Sequence, residues 1–177
     1  WSLASDAAGS VHGASQHGGG DSSARTTLEV LASHIATSLA NARMFAKLEE
    51  LATTDGLTGL LNKRVLLELG AQKVRAAARY HRPLAVIQTD IDFFKKVNDT
   101  HGHDVGDQVI RGLAGILRRL KRSTDYVARF GGEEFVIVCE ETDAEGAMTL
   151  AERVREELER TTFHASSGPF QVTCSLG

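Results

Sequence analysis

Two apolar runs, DYVARF (125–130) and EFVIVCE (134–140), are separated only by Gly131, Gly132 and Glu133. The second run is mostly β-branched, and a Gly-Gly corner between two such runs predicts an antiparallel hairpin. A central hairpin commits the neighbouring elements to one sheet, so the periodicity on either side decides the fold. LAVIQTDI (84–91) reads as a strand ending in acids. Asn62 can cap a helix to about Arg79, which Arg82-Pro83 closes. Amphipathic spacing predicts further helices over 104–120 and from Asp143 to about Arg160, and FQVTCSLG (170–177) starts another strand. The order helix, strand, helix, strand, strand, helix, strand implies an α+β, two-layer domain. Its plan is a ferredoxin-like or palm-like mixed sheet flanked by helices.

The N-terminal part differs in composition. Residues 1–24 are rich in Gly, Ser and Ala and read as a loop, with a scrap of strand at Trp1–Leu3. His12 and His17 lie there without companions that would complete a metal set. Thr26 and Glu29 have capping-box spacing at the start of a helix over 25–53. Leu28, Leu31, Ile35, Leu39, Ala42, Phe45, Leu48 and Leu51 then recur in steps of three and four, one apolar stripe along that helix. A partner helix from a second copy of the chain would cover the stripe, giving a homodimer; the alternative is a helix folded back on its own domain.

Bulk composition excludes several classes. With 20 Lys and Arg against 23 Asp and Glu, the net charge is −3, and nothing in the composition suggests a polybasic surface for a nucleic-acid polymer. No apolar run approaches the roughly 20 residues of a membrane span, and the N-terminus lacks a leader pattern. The expectation is a cytoplasmic protein, with Cys139 and Cys174 as reduced core thiols.

Asp90 and Asp92 stand where an apolar strand leaves its sheet, and such acids repel one another unless a cation lies between them and the hairpin. Alternation puts both on one face while the strand stays extended. Magnesium takes carboxylate and carbonyl oxygens while keeping waters and substrate phosphates. Asp90, the Ile91 carbonyl and one hairpin glutamate would make such a half-shell. If the pleat holds to the tip, only one of Glu133 and Glu134 faces Asp90, and alternation does not say which. Beyond the acids, Lys95 and Lys96 could neutralise a triphosphate. Asn98 and Asp107 offer the donors and acceptors that a guanine edge needs, although both types equally suit a turn and a helix start. His101 and His103, two apart, fit a structural hydrogen-bonding role better than a shared metal.

GGEEF (131–135), TDGLTGLLNKR (54–64) and DIDFFKKVNDTHGHDVGD (90–107), in this order, resemble the signature of GGDEF-domain diguanylate cyclases. The resemblance covers about residue 52 to the C-terminus, and 54–177 would be the catalytic domain. It implies condensation of two GTP into cyclic di-GMP with release of two pyrophosphates, in a dimer because each domain holds one GTP. It also implies that Asp90, the Ile91 carbonyl and Glu133 bind Mg2+, with Mn2+ as a substitute. Glu133 would help to deprotonate the attacking 3′-hydroxyl, and Lys95 would stabilise phosphate charge. Asn98 and Asp107 would read guanine, and Phe93 and Phe94 would present backbone amides to the phosphates. Gly131 and Gly132 would let the hairpin backbone approach the nucleotide. LEVLASHIATSLANARMF, in the first helix, is similar to the last helix of a GAF-type sensor running into a signalling helix, with 1–24 as a remnant of that sensor.

Arg122 and Asp125 form an RxxD just ahead of the hairpin. Alone it is an ordinary basic turn. The resemblance makes it a product-inhibition site for cyclic di-GMP, with Arg153 as a secondary arginine. In the family the last strand continues into a helix whose Lys and Arg clamp the triphosphate, so the resemblance implies a catalytic domain that is C-terminally incomplete here. Two other readings compete with an active cyclase. One is a silent receptor for GTP or cyclic di-GMP. The other is a structural dimerisation module, which leaves the acids unexplained.

Overall fold

The computed structural model describes residues 19–177; Trp1–Leu3, His12 and His17 lie outside them. Two units divide the chain, Trp1–Ala46 and Lys47–Gly177. Helix α1 (Gly19–Thr53) is longer than expected at its start. Thr26 and Glu29 therefore lie inside it instead of capping it, and the loop expected up to 24 gives way at Gly19. The sequence Gly-Gly-Asp-Ser-Ser supplies residue types that a first turn accepts. The described side chains of the stripe, from Leu28 to Leu48, are exposed, from 50% at Leu39 to 71% at Phe45. Among the described residues no helix is long and apolar enough to cross a membrane.

After α1, a turn over 54–60 leads into β1 (Leu61–Asn62) and α2 (Lys63–Tyr80). The Val65 amide donates to the Asn62 side chain at 3.0 Å, as its capping role requires. Next come β2 (Leu84–Ile91), α3 (Phe94–His101), α4 (His103–Leu120), β3 (Tyr126–Arg129), β4 (Glu134–Glu140) and α5 (Ala144–Arg160). Three short strands follow: β5 (Phe163–Ala165), β6 (Gly168–Phe170) and β7 (Cys174–Leu176). The main sheet has the order β1-β3-β4-β2-β7. Only β1 runs parallel to its neighbour; the β2–β4, β3–β4 and β2–β7 pairs are antiparallel. Without β1, the remaining β2-α-β3-β4-α5-β7 path is the ferredoxin-like plan that the hairpin implied.

One face of the sheet buries Ile87, Ile91, Val127, Phe135 and Ile137 with Leu113 and Leu117 of α4 and Val154 and Leu158 of α5. The other face packs Ala128, Val136 and Val138 with Leu66 of α2. Because β4 has helices on both faces, its buried run is continuous, which explains why EFVIVCE shows no polar alternation. Cys139 and Cys174 are free and buried, as expected.

Two elements depart from expectation. Helix α3 occupies the stretch between the strand at 84–91 and the helix over 104–120, where no element was expected, and Gly102, at φ 87°, separates it from α4. The segment FQVTCSLG is not one strand: Phe170 belongs to the separate β5–β6 hairpin, and only Cys174–Leu176 joins β2. Phe170 stacks on His101 with ring centroids 4.4 Å apart, and the His101 ring nitrogen Nδ1 hydrogen-bonds the Ser167 hydroxyl at 3.0 Å. That contact holds the segment away from the main sheet and gives His101 the structural role its spacing suggested.

Candidate active site

The site grows from the end of β2. Antiparallel register sets Asp90 opposite Glu134 on β4 and opposite Ser175 on β7. Thr89 and Ile91, with opposite alternation, are buried in the core. Burial first, then repulsion from Glu134 and Asp92, push the Asp90 carboxyl above its ordinary value. Asp92 lies one residue past the strand, where its two oxygens accept the Thr173 and Ser175 hydroxyls, each at 2.6 Å. It is thus tied to β7, while Asp90 is left facing another acid.

The hairpin tip shows where alternation ends. The Phe130 and Gly131 amides both donate to the Glu134 carbonyl, at 2.8 and 3.2 Å. Two residues against one acceptor mean that the pleat does not continue through the tip. Glu134 is the cross-strand neighbour of Asp90, whereas Glu133 precedes β4 and is released from alternation. A Cβ at Gly131 would run into the Glu134 carboxylate, so glycine there permits the folded-back side chain. Among the described residues no three His, Cys, Asp or Glu side chains converge into a metal-holding cluster.

The second cluster lies along α3 and α4. Asn98 is in the last turn of α3, and Asp107 is near the start of α4. A Cβ at Gly106 would overlap the Asn98 amide oxygen, so that amide lies directly over the backbone next to Asp107. Asp107 is 45% exposed and has only a loose partner, Arg111 at 3.9 Å. Lys95 and Lys96 are exposed. Phe93 is 83% exposed in a left-handed conformation at φ 54°, and Phe94 is buried as the first residue of α3. The first amides of a helix have no partner within it, so this turn offers donors beside the acids.

The RxxD forms its own small site. The Arg122 amide donates to Asp125 Oδ2 at 2.7 Å. The other carboxylate oxygen, Oδ1, is buried without a hydrogen-bond partner. Asp125 lines a cavity of about 150 Å³ together with Arg122, Cys139 and Arg153. Burial, and then the nearby Asp125 charge, push the Cys139 thiol up to about 11, so it is not a nucleophile.

Four residues around the site escaped the sequence reading. Asp55 and Arg129 form an ion pair at 3.3 Å, and Arg129 also reaches the hairpin tip. Their separation of 74 residues leaves no local signal. Thr173 and Ser175, which fix Asp92, likewise look like ordinary strand residues.

A family model described as diguanylate cyclase, GGDEF domain, matches residues 52–177. The diguanylate cyclase DgcP of Pseudomonas aeruginosa is 43% identical over 126 residues, covering 71% of this chain and 19% of that protein. The chain thus spans about a fifth of that relative's length. Among solved structures, the coiled coil and GGDEF domain of DgcB from Caulobacter crescentus, in complex with c-di-GMP, is 30% identical with a TM-score of 0.76. That likeness covers 85% of this chain and 81% of the other. The active GGEEF domain of a diguanylate cyclase from Vibrio cholerae is 36% identical over 67% of this chain and 74% of the other, at a TM-score of 0.63. This chain belongs to the diguanylate cyclase GGDEF-domain family.

Proposed function

We propose that the chain is the catalytic part of a diguanylate cyclase that condenses two GTP into cyclic di-GMP and two pyrophosphates. The observation that carries this is the Asp90 carboxyl, pushed up by burial, Glu134 and Asp92 at the mouth of the sheet. An acid held in that setting suits a cation that is part of the working site. Asp90, the Ile91 carbonyl and Glu133 would hold Mg2+, with Mn2+ as a substitute. A divalent ion there supplies charge neutralisation for the α-phosphate and the departing pyrophosphate.

The chain's own residues do the rest. Asn98 and Asp107 bind the guanine edge, and the amides at Phe93 and Phe94 meet phosphate oxygens at the start of α3. Lys95 offsets phosphate charge. The 3′-oxygen of one GTP attacks the α-phosphorus of the other, the bond to pyrophosphate breaks, and the hydroxyl proton passes towards Glu133. Two such transfers close the ring. Since each domain takes one GTP, the reaction needs two copies, and the exposed α1 stripe is the face on which we place that homodimer. In the same reading α1 descends from a GAF-type sensor, and the protein works in the cytoplasm.

Product would return to the RxxD cavity. The grouping of Arg122, Asp125 and Arg153 around one cavity supports this, since the Arg122 and Arg153 guanidinium groups would meet phosphate there. The test is product formation from GTP and magnesium by the full-length protein, resolved by chromatography beside Glu133→Gln. Cyclic di-GMP from the parent and none from the variant is the expected result. No product from either replaces the cyclase with a receptor for cyclic di-GMP centred on Arg122 and Asp125.

A further inference from the structure

The hairpin tip is held from the side opposite Asp90. The Arg129 Nε donates to the Gly131 and Gly132 carbonyls at 3.2 and 3.1 Å, and its Nη2 donates to the Gly132 carbonyl at 2.7 Å. Its Nη1 reaches the Asp55 carboxylate at 3.3 and 3.4 Å. Both side chains are largely shielded, 18% exposed for Arg129 and 23% for Asp55. Asp55 is itself fixed, because the Thr58 amide and hydroxyl donate to its Oδ1 at 2.9 and 2.7 Å. The Thr58 carbonyl in turn accepts from Arg118 of α4 at 2.6 Å. A turn over 54–60 that is closed by its own hydrogen bonds is therefore joined through one guanidinium to two consecutive glycine carbonyls.

The geometry has a direct consequence for Glu133. The Gly132 carbonyl and the Glu133 amide share one planar peptide unit, so anchoring the carbonyl fixes the plane from which the Glu133 Cα departs. Gly132 has open space around it and no side chain to restrain it. A guanidinium presents these donors in one fixed planar fork, whereas an ammonium is a compact charge on a flexible stem that holds no such plane.

We propose that Arg129 is a positioning residue for the reaction: by bridging Asp55 to the Gly131 and Gly132 carbonyls, it sets the orientation of Glu133 at the tip. This rests on the cyclase reading above. The test uses the full-length protein and its Arg129→Ala, Arg129→Lys and Asp55→Asn variants. Turnover of GTP, the magnesium dependence and amide hydrogen exchange over 130–139 are measured together. Losing a group that orients a ligand costs about 10–100-fold. Arg129→Ala should lower kcat by that factor, with KM for GTP within about 3-fold of the parent and a higher magnesium requirement. Exchange should quicken at 131–133 while 135–139 stay protected. Arg129→Lys should not restore turnover, and Asp55→Asn should show a smaller loss of the same kind.

Unchanged turnover in Arg129→Ala while the parent makes cyclic di-GMP overturns this proposal and leaves the cyclase standing. Exchange that rises equally along all of β4, or full rescue by lysine, reduces Arg129 to a general support and also overturns it. No product from the parent overturns both readings.

Discussion

Asp55 and Asp90 approach the same hairpin from its two sides, and they live in opposite electrostatic settings. Around Asp55, burial alone pushes the carboxyl up. The Thr58 hydroxyl and amide and the Arg129 guanidinium outweigh that and hold it below its ordinary value. Around Asp90, burial, Glu134 and Asp92 all act in the same upward direction. One carboxylate has its counter-charge within the fold; the other is short of one. A fold tolerates the second arrangement where charge arrives from outside, which is why frustrated acids mark working sites and satisfied acids mark scaffolding. Asp125 is intermediate, with one oxygen bonded and the other buried alone.

The contrast breaks most visibly at the acid that is short of a counter-charge. Asp90→Asn should lower cyclic di-GMP formation by about 1,000-fold or more, since an amide cannot replace a carboxylate as ligand to a hard cation. Chromatography of product from GTP and magnesium checks it. Turnover within tenfold of the parent would mean that Asp90 is merely a crowded surface acid.

The intermediate case gives the next largest effect. Arg122→Ala should weaken cyclic di-GMP binding by about 10–100-fold, the worth of one or two charge-assisted hydrogen bonds. Titration calorimetry with cyclic di-GMP reads it, and turnover before product accumulates should barely change. Equal affinity for both proteins would return the RxxD to an ordinary turn.

For the satisfied acid the effect moves from activity to stability. Asp55→Ala removes the acceptor of the Thr58 bonds and leaves Arg129 without its counter-ion. It should cost about 1.5–3 kcal/mol of unfolding free energy in urea titration. A change below about 0.5 kcal/mol would show that the turn is held by Arg118 and the backbone alone.

Much of this was legible because it is local. The strand at 84–91, the hairpin at 126–140 and the Asn62 cap follow from alternation, a Gly-Gly corner and one side chain's reach to its own helix. The acids at the end of β2 were legible for the same reason: nothing apolar explains them. Helix α3 was hidden because FKKVNDTH is short and mostly polar, and its apolar face is only Phe94 and Val97. The β5–β6 hairpin was hidden because its anchor, the His101–Phe170 stack, joins residues far apart in sequence. The Asp55–Arg129 pair is the clearest case, since Asp55 reads as a turn residue and Arg129 as a strand end until the fold brings them together. Where the pleat ends at the hairpin tip was hidden as well, since that is a property of tip hydrogen bonds and not of residue type.

The subtlest difference between the two acids is the sign of their pH dependence. Asp55 has its folded value depressed, so its contribution is present above the ordinary value near 3.8 and is lost as pH falls through the depressed one. Asp90 has its folded value raised. The folded state then holds the proton more tightly than the unfolded one, and stability falls as pH rises from about 3.8 through the raised value. Without metal, Asp90→Asn should therefore be more stable than the parent at pH 7, by a few tenths of a kcal/mol, roughly, after solvent screening. The advantage should shrink as the pH is lowered towards 4, whereas Asp55→Asn should be the less stable protein throughout that range. Adding magnesium should stabilise the parent and close its gap to Asp90→Asn, because only the parent has the full ligand set. An Asp90→Asn protein that is less stable at pH 7 without metal would mean that Asp90 already has its counter-charge inside the fold.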